Sequence, residues 1–399
     1  MAVIGAGRGV TYAQGFTAGA VAAGVKHAGT SRLDIALIVS DRPATAGAVF
    51  TTNQVIAAPC VLTRQHVAAG RIRAIVVNSG NANACTGRQG ERDAVAMAAT
   101  AATRLGCAPD EIAVASTGVI GVPLPMERIA PAIAAIAPTV AGWDDASRAI
   151  MTTDTRPKVA EREIQVGGRA VRIGGIAKGA GMIHPNMATL LVFVTTDAAV
   201  DPKRLQDAVT STARHSFNAI SVDGDTSTND TLLVLANGAS GVTIADAALP
   251  DFSAALGEVC LELARAIVTD GEGVTKVFEV RVQGAATEAE ATAAARTITT
   301  SNLVKTAIHG GDPNWGRVLA AAGRSGARVD ASRASIRIGG IAVFATGALQ
   351  PIDDAAIRAV FARSEIVIEV DLGLGSGTAR AWGTDLSAEY VRINAEYTT

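Results

Sequence analysis

Segments with the apolar pattern of a strand alternate along the chain with segments whose apolar residues recur at the spacing of a helix. RIRAIVVNSG (71–80) is a short, nearly continuous apolar run that ends in a turn, which predicts a strand. ERDAVAMAATAATRLG (91–106) repeats its apolar residues at helical spacing, which predicts a helix closed by its final glycine. EIQVGGRAVRIGGIAKG (163–179) predicts a hairpin with Gly167 and Gly168 in the turn.

The second half of the chain continues this alternation. The helix that follows LLVFVTTD begins with Asp201 and Pro202, which suit the first positions of a helix. The predicted elements are a strand at 190–197, helices at 201–217 and 251–271, a strand at 335–346 (SIRIGGIAVFAT), a helix at 353–363 and strands at 365–373 and 378–385. The chain is therefore predicted to be a mixed α/β protein throughout.

One hexapeptide, RIGGIA, occurs at 172–177 and again at 337–342. Both copies are predicted to lie in hairpins. An internal duplication would explain the repeat, but six residues are too few to decide it, so the question stays open.

Composition and charge exclude several classes of function. The 399 residues are 49% hydrophobic but only 4% aromatic, so the core must be aliphatic. The formal net charge is −2 and no basic block occurs, which argues against a nucleic-acid partner. The longest apolar runs fall short of the roughly 20 residues of a membrane helix, and the N-terminus has no secretory pattern. A cytoplasmic protein with no membrane contact is expected.

Cysteine and histidine are too scattered to predict a metal site or a disulfide framework. Cys60, Cys85, Cys107 and Cys260 form no CxxC pair, and no HExxH or HxH pattern occurs. All four cysteines are expected to be reduced and packed in the interior.

The familiar catalytic loops are also missing. GAGRG (5–9) and GLGSG (373–377) do not complete a dinucleotide-binding loop and are predicted to be turns. No GxSxG elbow, phosphate-binding GxxxxGK[ST] loop or kinase signature is present. What remains is KGAGMIHPNMATL (178–190), in which glycines and a lysine precede Thr189 at the start of a predicted strand.

Two interpretations of Thr189 stay open from these residues alone. It is either an ordinary buried strand threonine or a nucleophile. A threonine hydroxyl reacts poorly at neutral pH, but its own α-amine, with a pKa of about 7.7 to 8.0, can take the hydroxyl proton once it is free. Because Thr189 is internal, its hydroxyl would first have to attack the carbonyl of Ala188 and cut the chain into 1–188 and 189–399.

A second stretch supports the catalytic interpretation. IAVASTGVIG (112–121) is predicted to be a strand that ends in a glycine turn. Successive backbone N–H groups in such a turn can point at one spot and stabilise an oxyanion, although STG alone is more often a plain turn.

Eight motifs, spread over nearly the whole chain, together resemble one family. They are KGAGMIHPNMATLL, VVNSGNANACTG, ASTGVIG, MTTDT, SVDGDTSTND, TDGEG, AIHGGDPNWGR and RINAEYTT. The chain is identified as a member of the ornithine acetyltransferase family of arginine biosynthesis, also called glutamate N-acetyltransferase. The resemblance implies layered sheets flanked by helices, as in DmpA and ArgJ proteins, similar but not identical to N-terminal nucleophile hydrolases.

The resemblance also implies an activity and a set of site residues. The family moves acetyl from N2-acetyl-L-ornithine to L-glutamate and cleaves itself before the threonine that corresponds to Thr189, so 1–188 would be the α chain and 189–399 the β chain, intertwined in one catalytic unit. Thr117 and Gly118 would form the oxyanion hole. The residues expected to contact substrate are Thr155, Lys178, Thr189, Glu272, Asn394 and Thr399.

Several points about the chemistry stay open. Lysine can meet a substrate carboxylate and glutamate an ammonium, but which charge meets which group is inferred. No cofactor or metal is implied, while acetyl-CoA serves as a second donor in some family members and not in others. The family forms heterotetramers of two α and two β chains. Asp223 and Asp225 lack the spacing of a calcium loop and are expected to form turns and hydrogen bonds near the site.

Two rival functions stay open as well. A self-processing amidase or aminopeptidase would share Thr189, the cleavage and the oxyanion hole, with water as acceptor. A non-catalytic amino-acid-binding protein would keep an intact chain. Lys178, Glu272 and the tail from Asn394 to Thr399 favour an amino-acid acceptor.

Overall fold

The computed structural model describes residues 7–184 and 190–396, and these form two sheets with packed helices. The strands are β1 (Phe16–Val21), β2 (Ile35–Phe50), β3 (Ile72–Asn81), β4 (Ile112–Val119), β5 (Lys158–Val166), β6 (Arg169–Lys178), β7 (Leu191–Thr196), β8 (Ile220–Ser221), β9 (Thr231–Ala236), β10 (Val277–Ala285), β11 (Ser335–Ile338), β12 (Ile341–Ala345), β13 (Ala348–Leu349), β14 (Glu365–Asp371) and β15 (Gly377–Thr384). The α-helices are α1 (Ala58–Ala69), α2 (Gly87–Leu105), α3 (Met126–Ala135), α4 (Trp143–Ala149), α5 (Pro202–His215), α6 (Leu249–Val268), α7 (Glu288–Thr299), α8 (Asn302–Gly310), α9 (Trp315–Gly323), α10 (Asp354–Phe361) and α11 (Ala388–Glu396).

The first sheet is built from strands that are distant in sequence. Its order is β4-β3-β2-β9-β7-β6-β5, and β1 pairs with β2. The pairs β3–β4 and β7–β9 are parallel, whereas β2–β9, β5–β6 and β6–β7 are antiparallel. The second sheet has the order β13-β12-β11-β14-β10-β15-β8.

The strand β7 is buried on both faces, which explains its continuous apolar sequence. Val192 and Val194 pack in the core formed with α5 and α6, while Leu191 and Phe193 pack in the core on the opposite face. A strand covered on both sides reads as an unbroken apolar run instead of an alternating one. Helices on one sheet face and a second sheet with its own core confirm the predicted layered α/β class.

Most local predictions are confirmed. The hairpin of β5 and β6 turns at Gly167 and Gly168, whose φ angles of 58° and 77° suit glycine. Gly106 ends α2 in the left-handed conformation, at φ 65°. The side chain of Asp201 caps α5 by accepting from the backbone N–H groups of Lys203 and Arg204.

The predicted strand at 335–346 is wrong as a single element. It folds as the hairpin β11–β12, in which Gly339 and Gly340 make the turn with φ angles of 60° and 87°. The other copy of RIGGIA lies inside one straight strand, β6, where Gly174 and Gly175 pair with β7. The same six residues therefore adopt two structures, and the repeat gives no support for an internal duplication.

Two further expectations concern glycine-rich turns and cysteines. GLGSG (373–377) connects β14 to β15 as predicted, while GAGRG (5–9) begins outside the described residues. All four cysteines lie in the described ranges and are free. Cys60 and Cys260 are buried, but Cys85 is exposed and Cys107 is half-buried, so the expectation of interior packing is wrong for Cys85.

None of the helices in residues 7–184 and 190–396 is long and apolar enough to cross a bilayer. The same ranges contain no group of three or more His, Cys, Asp or Glu residues placed to hold a metal ion.

Candidate active site

A cleft of about 110 Å³ lies where β4 and β6 end and β7 and β9 begin. It brings together five predicted site residues from four distant stretches of the chain: Thr117, Gly118, Lys178, Glu272 and Asn394. Ala188, Thr189 and Thr399 lie outside the described residues. Leu190, the neighbour of Thr189 in the chain, lines the cleft.

The proposed oxyanion turn is shaped by two facing glycines. Gly118 pairs with Gly80 in the parallel ladder of β3 and β4 and has a φ of 132°. A Cβ at position 118 would lie 2.1 Å from the carbonyl oxygen of Gly80. Glycine is therefore required here both by the left-handed backbone and by the close approach of the neighbouring strand.

Lys178 controls the direction of the neighbouring hydroxyl. Its Nζ lies 3.4 Å from Oγ1 of Thr117, and both side chains are largely buried. An ammonium group has only donors, so the Thr117 oxygen accepts this contact and its own hydrogen is left to donate into the cleft. Burial lowers the pKa of Lys178, and Asp154 opposes that shift.

A group of buried charged side chains that pair with one another lies next to Lys178. Nζ of Lys158 contacts one carboxylate oxygen of Asp154 and one of Asp270, each at 2.6 Å. Asp154 also accepts the backbone N–H of Gly179 at 2.6 Å. Burial acts to raise the pKa of Asp154, but the nearby ammonium groups of Lys178 and Lys158 outweigh it and hold that pKa at about 2. We call Asp154, Lys158 and Asp270 the buried charge cluster.

Thr155 is the predicted substrate contact that the structure does not bring to the cleft. Its backbone N–H donates to Asp270 at 3.0 Å, and its hydroxyl donates to the other oxygen of the same carboxylate. Thr152 and Thr153, from the same MTTDT motif, line the cleft instead. In this structure Thr155 ties its loop to the buried charge cluster, and its contact with substrate stays a prediction.

Glu272 and Asn394 also line the cleft. Nδ2 of Asn394 donates to Oε2 of Glu272 at 3.0 Å. The backbone N–H of Glu272 donates to the carbonyl of Ala180 at 3.0 Å, so the glutamate is bound to the loop that leads towards residue 189. A Cβ at Gly181 would lie 2.4 to 2.6 Å from the Glu272 carboxylate, and the absence of that atom lets the carboxylate reach this position.

Asp223 holds the loop after β6, as its motif predicted. Its carboxylate accepts the backbone N–H groups of Met182 at 2.6 Å and Ile183 at 2.8 Å. Met182 has a φ of 56°, an unusual conformation for a residue with a side chain, and these two bonds compensate part of its strain. Burial raises the pKa of Asp223.

Sequence reasoning missed several residues that organise the site. Nδ2 of Asn229 bridges the ends of β3 and β4 by donating to the carbonyls of Ala82 and Ser116, at 2.6 and 2.9 Å. The buried charge cluster was missed because Lys158 and Asp270 are separated by 112 residues. Two motifs were the available signals, since SVDGDTSTND contains Asn229 and MTTDT contains Asp154.

Comparison with known proteins places these residues in a family. The model of the ArgJ family matches residues 17–399. The arginine biosynthesis bifunctional protein ArgJ of Symbiobacterium thermophilum is 51% identical over 396 residues, which cover 98% of this chain and 98% of that protein.

Two solved structures are also similar. The arginine biosynthesis bifunctional protein ArgJ of Bacillus halodurans is 43% identical with a TM-score of 0.50, and the match covers 51% of this chain and 98% of that chain. The ornithine acetyltransferase of Mycobacterium tuberculosis, solved in complex with ornithine, is 40% identical with a TM-score of 0.39, over 46% of this chain and 96% of that chain.

The family model and the full-length relative confirm the resemblance that the eight motifs indicated. They also confirm the predicted ArgJ-type fold class and the prediction of an acetyltransferase in arginine biosynthesis, and they do not favour the amidase alternative. Over residues 17–399, this chain belongs to the ArgJ family.

Proposed function

We propose that this enzyme moves the acetyl group from N2-acetyl-L-ornithine to L-glutamate through an acetyl ester on Thr189. The observation that carries the proposal is the cleft beside Leu190, which gathers an oxyanion turn, a buried lysine and a glutamate. Both substrates are amino acids, so a site for them needs a cation for the carboxylate and acceptors for an ammonium group.

The lining of the cleft can supply these two kinds of contact. Lys178 is a donor and also contacts the Thr117 hydroxyl. Glu272, which accepts a hydrogen bond from Asn394, is an acceptor. We therefore assign the substrate carboxylate to Lys178 and the ornithine ammonium to Glu272.

The first half-reaction forms the ester. Oγ of Thr189 attacks the acetyl carbonyl carbon, and the carbonyl oxygen becomes an oxyanion that Thr117 and Gly118 stabilise. The α-amine of Thr189 takes the hydroxyl proton and passes it to the ornithine nitrogen as the carbon–nitrogen bond breaks. Ornithine leaves, and acetyl stays on Thr189.

The second half-reaction reverses these roles. The amine of glutamate attacks the ester carbon, the same two groups stabilise the oxyanion, and the bond to Thr189 Oγ breaks. Since one product leaves before the second substrate reacts, the kinetics should be ping-pong. N-acetyl-L-glutamate is the second product.

The free α-amine requires a cut between Ala188 and Thr189, and the sheet topology is compatible with it. Strands β7 and β9 follow the cut, yet they lie between β2 and β6, which precede it. Pieces 1–188 and 189–399 would therefore stay joined by the β6–β7 and β2–β9 ladders. The solved Bacillus halodurans chain, which corresponds to about half of this one at 51% coverage, agrees with a divided protein.

N-terminal sequencing of the purified protein tests the cleavage. Two starts are expected, and the second should read TLLVFV. Thr189→Ala should leave one uncut chain without transferase activity. Thr196→Ala, at the C-terminal end of β7, is the matched control and should still be cut and active. A single uncut wild-type chain with full activity would refute the proposed nucleophile.

An assay with acetylornithine, with and without glutamate, separates transfer from hydrolysis. We expect ornithine release to depend on glutamate beyond one turnover. Release at the same rate without glutamate would identify the amidase instead. Replacing acetylornithine by acetyl-CoA decides whether a second donor is used.

We further propose that the enzyme is cytoplasmic and is assembled from two α and two β pieces. Native mass spectrometry measures the number of pieces in the assembly.

A further inference from the structure

A second cavity lies behind the oxyanion turn. It measures about 390 Å³ and is lined by residues that follow the two facing glycines, namely Asn81 after Gly80 and Val119 after Gly118. The cavity and the acyl-transfer cleft therefore both adjoin the ends of β3 and β4, where Gly118 lines the cleft and Val119 lines the cavity.

The charge of this cavity is positive. Lys26, His27 and Arg128 line it, and its lining contains no aspartate or glutamate. Lys26 and Arg128 place two cationic side chains on one cavity, and an anion between them would reduce their mutual repulsion. The other lining residues include Pro123 and Pro125, which leave the surface largely without competing acceptor side chains.

Arg128 provides an independent observation. Its Nε is buried and has no hydrogen-bond partner in the part of the chain that the structure describes. A buried donor without an acceptor costs free energy, and guanidinium N–H groups are matched geometrically by the oxygens of a phosphate or carboxylate. Arg128 also lies in the first turn of α3, where the helix dipole favours an anion.

We propose that this cavity binds the phosphate group of a small phosphorylated molecule. A phosphate carries about two negative charges and three acceptor oxygens, so it can meet Arg128 and the two neighbouring basic side chains together. The cavity has room for more than the phosphate itself. The bound molecule would lie one residue from Gly118, and it would contact the protein without entering the acyl-transfer cleft.

Titration calorimetry on the full, cleaved enzyme tests the proposal with three probes: inorganic phosphate, pyrophosphate and adenosine diphosphate. We expect wild-type enzyme to bind at least one of them. Arg128→Gln should weaken that binding about tenfold or more, the effect of losing a charge-assisted hydrogen bond. Equal affinity for inorganic phosphate and adenosine diphosphate identifies free phosphate as the ligand. Tighter binding of adenosine diphosphate identifies a phosphorylated molecule with a larger body.

Two variants keep the test decisive. Arg358→Gln removes an exposed arginine on α10, far from the cavity lining, and should leave binding unchanged. Lys26→Gln should weaken binding without touching the half-buried Arg128. Acetyl transfer between amino acids should persist in all of them. No heat with any probe, or the same affinity in wild type, Arg128→Gln and Lys26→Gln, would overturn the proposal.

Discussion

Lys158 and Lys178 are both buried and lie on paired strands of one hairpin, yet their surroundings differ. Lys158 is neutralised by two carboxylates at 2.6 Å and is shut away from the cleft. Lys178 has a hydroxyl at 3.4 Å, faces the cleft and has a lowered pKa because it is buried. The contrast suggests that a lysine with its full set of partners holds the fold, while one with incomplete pairing is available to substrate.

The largest expected effect is on stability, from Lys158→Met. The substitution removes the ion-pair partner of Asp270 and leaves Asp154 with only the ammonium group of Lys178. Breaking a buried ion pair typically costs about 3–5 kcal/mol. Urea denaturation of the cleaved enzyme should show this loss of unfolding free energy. An unchanged midpoint would mean that the buried charge cluster does not stabilise the fold, and the comparison would fail.

Lys178→Met should have the opposite profile. Acetyl transfer is expected to fall about a hundredfold or more, because a charged contact to the substrate carboxylate is lost. The free energy of unfolding should fall less than in Lys158→Met, because Asp154 keeps the ammonium group of Lys158 at 2.6 Å and the buried ammonium of Lys178 no longer has to be desolvated. Steady-state kinetics and urea denaturation on one preparation measure both. A large loss of stability with normal activity would reverse the assignment of the two lysines.

Asp154→Asn tests the comparison of the two lysines through the pH dependence of stability, because the carboxylate of Asp154 interacts with both lysines. Its pKa is lowered from 3.8 to about 2 in the folded protein, so folding favours the charged form. The resulting stability, about 2 kcal/mol, is present above the unfolded pKa and is lost as the pH falls through the folded pKa. The stability gap between wild type and Asp154→Asn should therefore shrink between about pH 5 and pH 2. A constant gap across that range would contradict the assigned electrostatics.

The smallest effect is expected from Gly181→Ala, in the lining of the cleft next to Glu272. The added methyl group meets the end of the flexible Glu272 side chain, which can move aside. We expect the KM for acetylornithine to rise roughly tenfold with little change in stability, as for one weakened charged contact. Glu272→Gln is the control and should raise KM at least as much. Normal KM in both variants would remove Glu272 from substrate binding.

The sequence predicted those parts of the fold that depend on neighbours in the chain. The β5–β6 hairpin, the α5 cap at Asp201 and the apolar strand β7 all follow from turn residues, capping residues or periodicity. The two copies of RIGGIA mark the limit of this reasoning. In β6 the two glycines pair with β7, whereas Gly339 and Gly340 form the turn between β11 and β12.

The candidate site also contains residues that the sequence predicted and residues that it could not predict. Thr117, Gly118, Lys178, Glu272 and Asn394 were identified because each lies in a short motif, and the structure brings them to one cleft. The buried charge cluster could not be read from the sequence, since the partners of Lys158 are determined by packing between α6 and β5. The hydrogen bond from the Thr155 hydroxyl to Asp270 could not be read from the sequence either, and the contact of Thr155 with substrate stays a prediction.

The two glycines that face each other across β3 and β4 limit how this enzyme can be redesigned. With only 2.1 Å between a methyl group at 118 and the Gly80 carbonyl, no side chain can be introduced without moving a whole strand. Directed evolution towards bulkier acyl groups should therefore find nothing useful at Gly118. New specificity would have to arise at Thr152 and Thr153, whose side chains border the same space without holding two strands together.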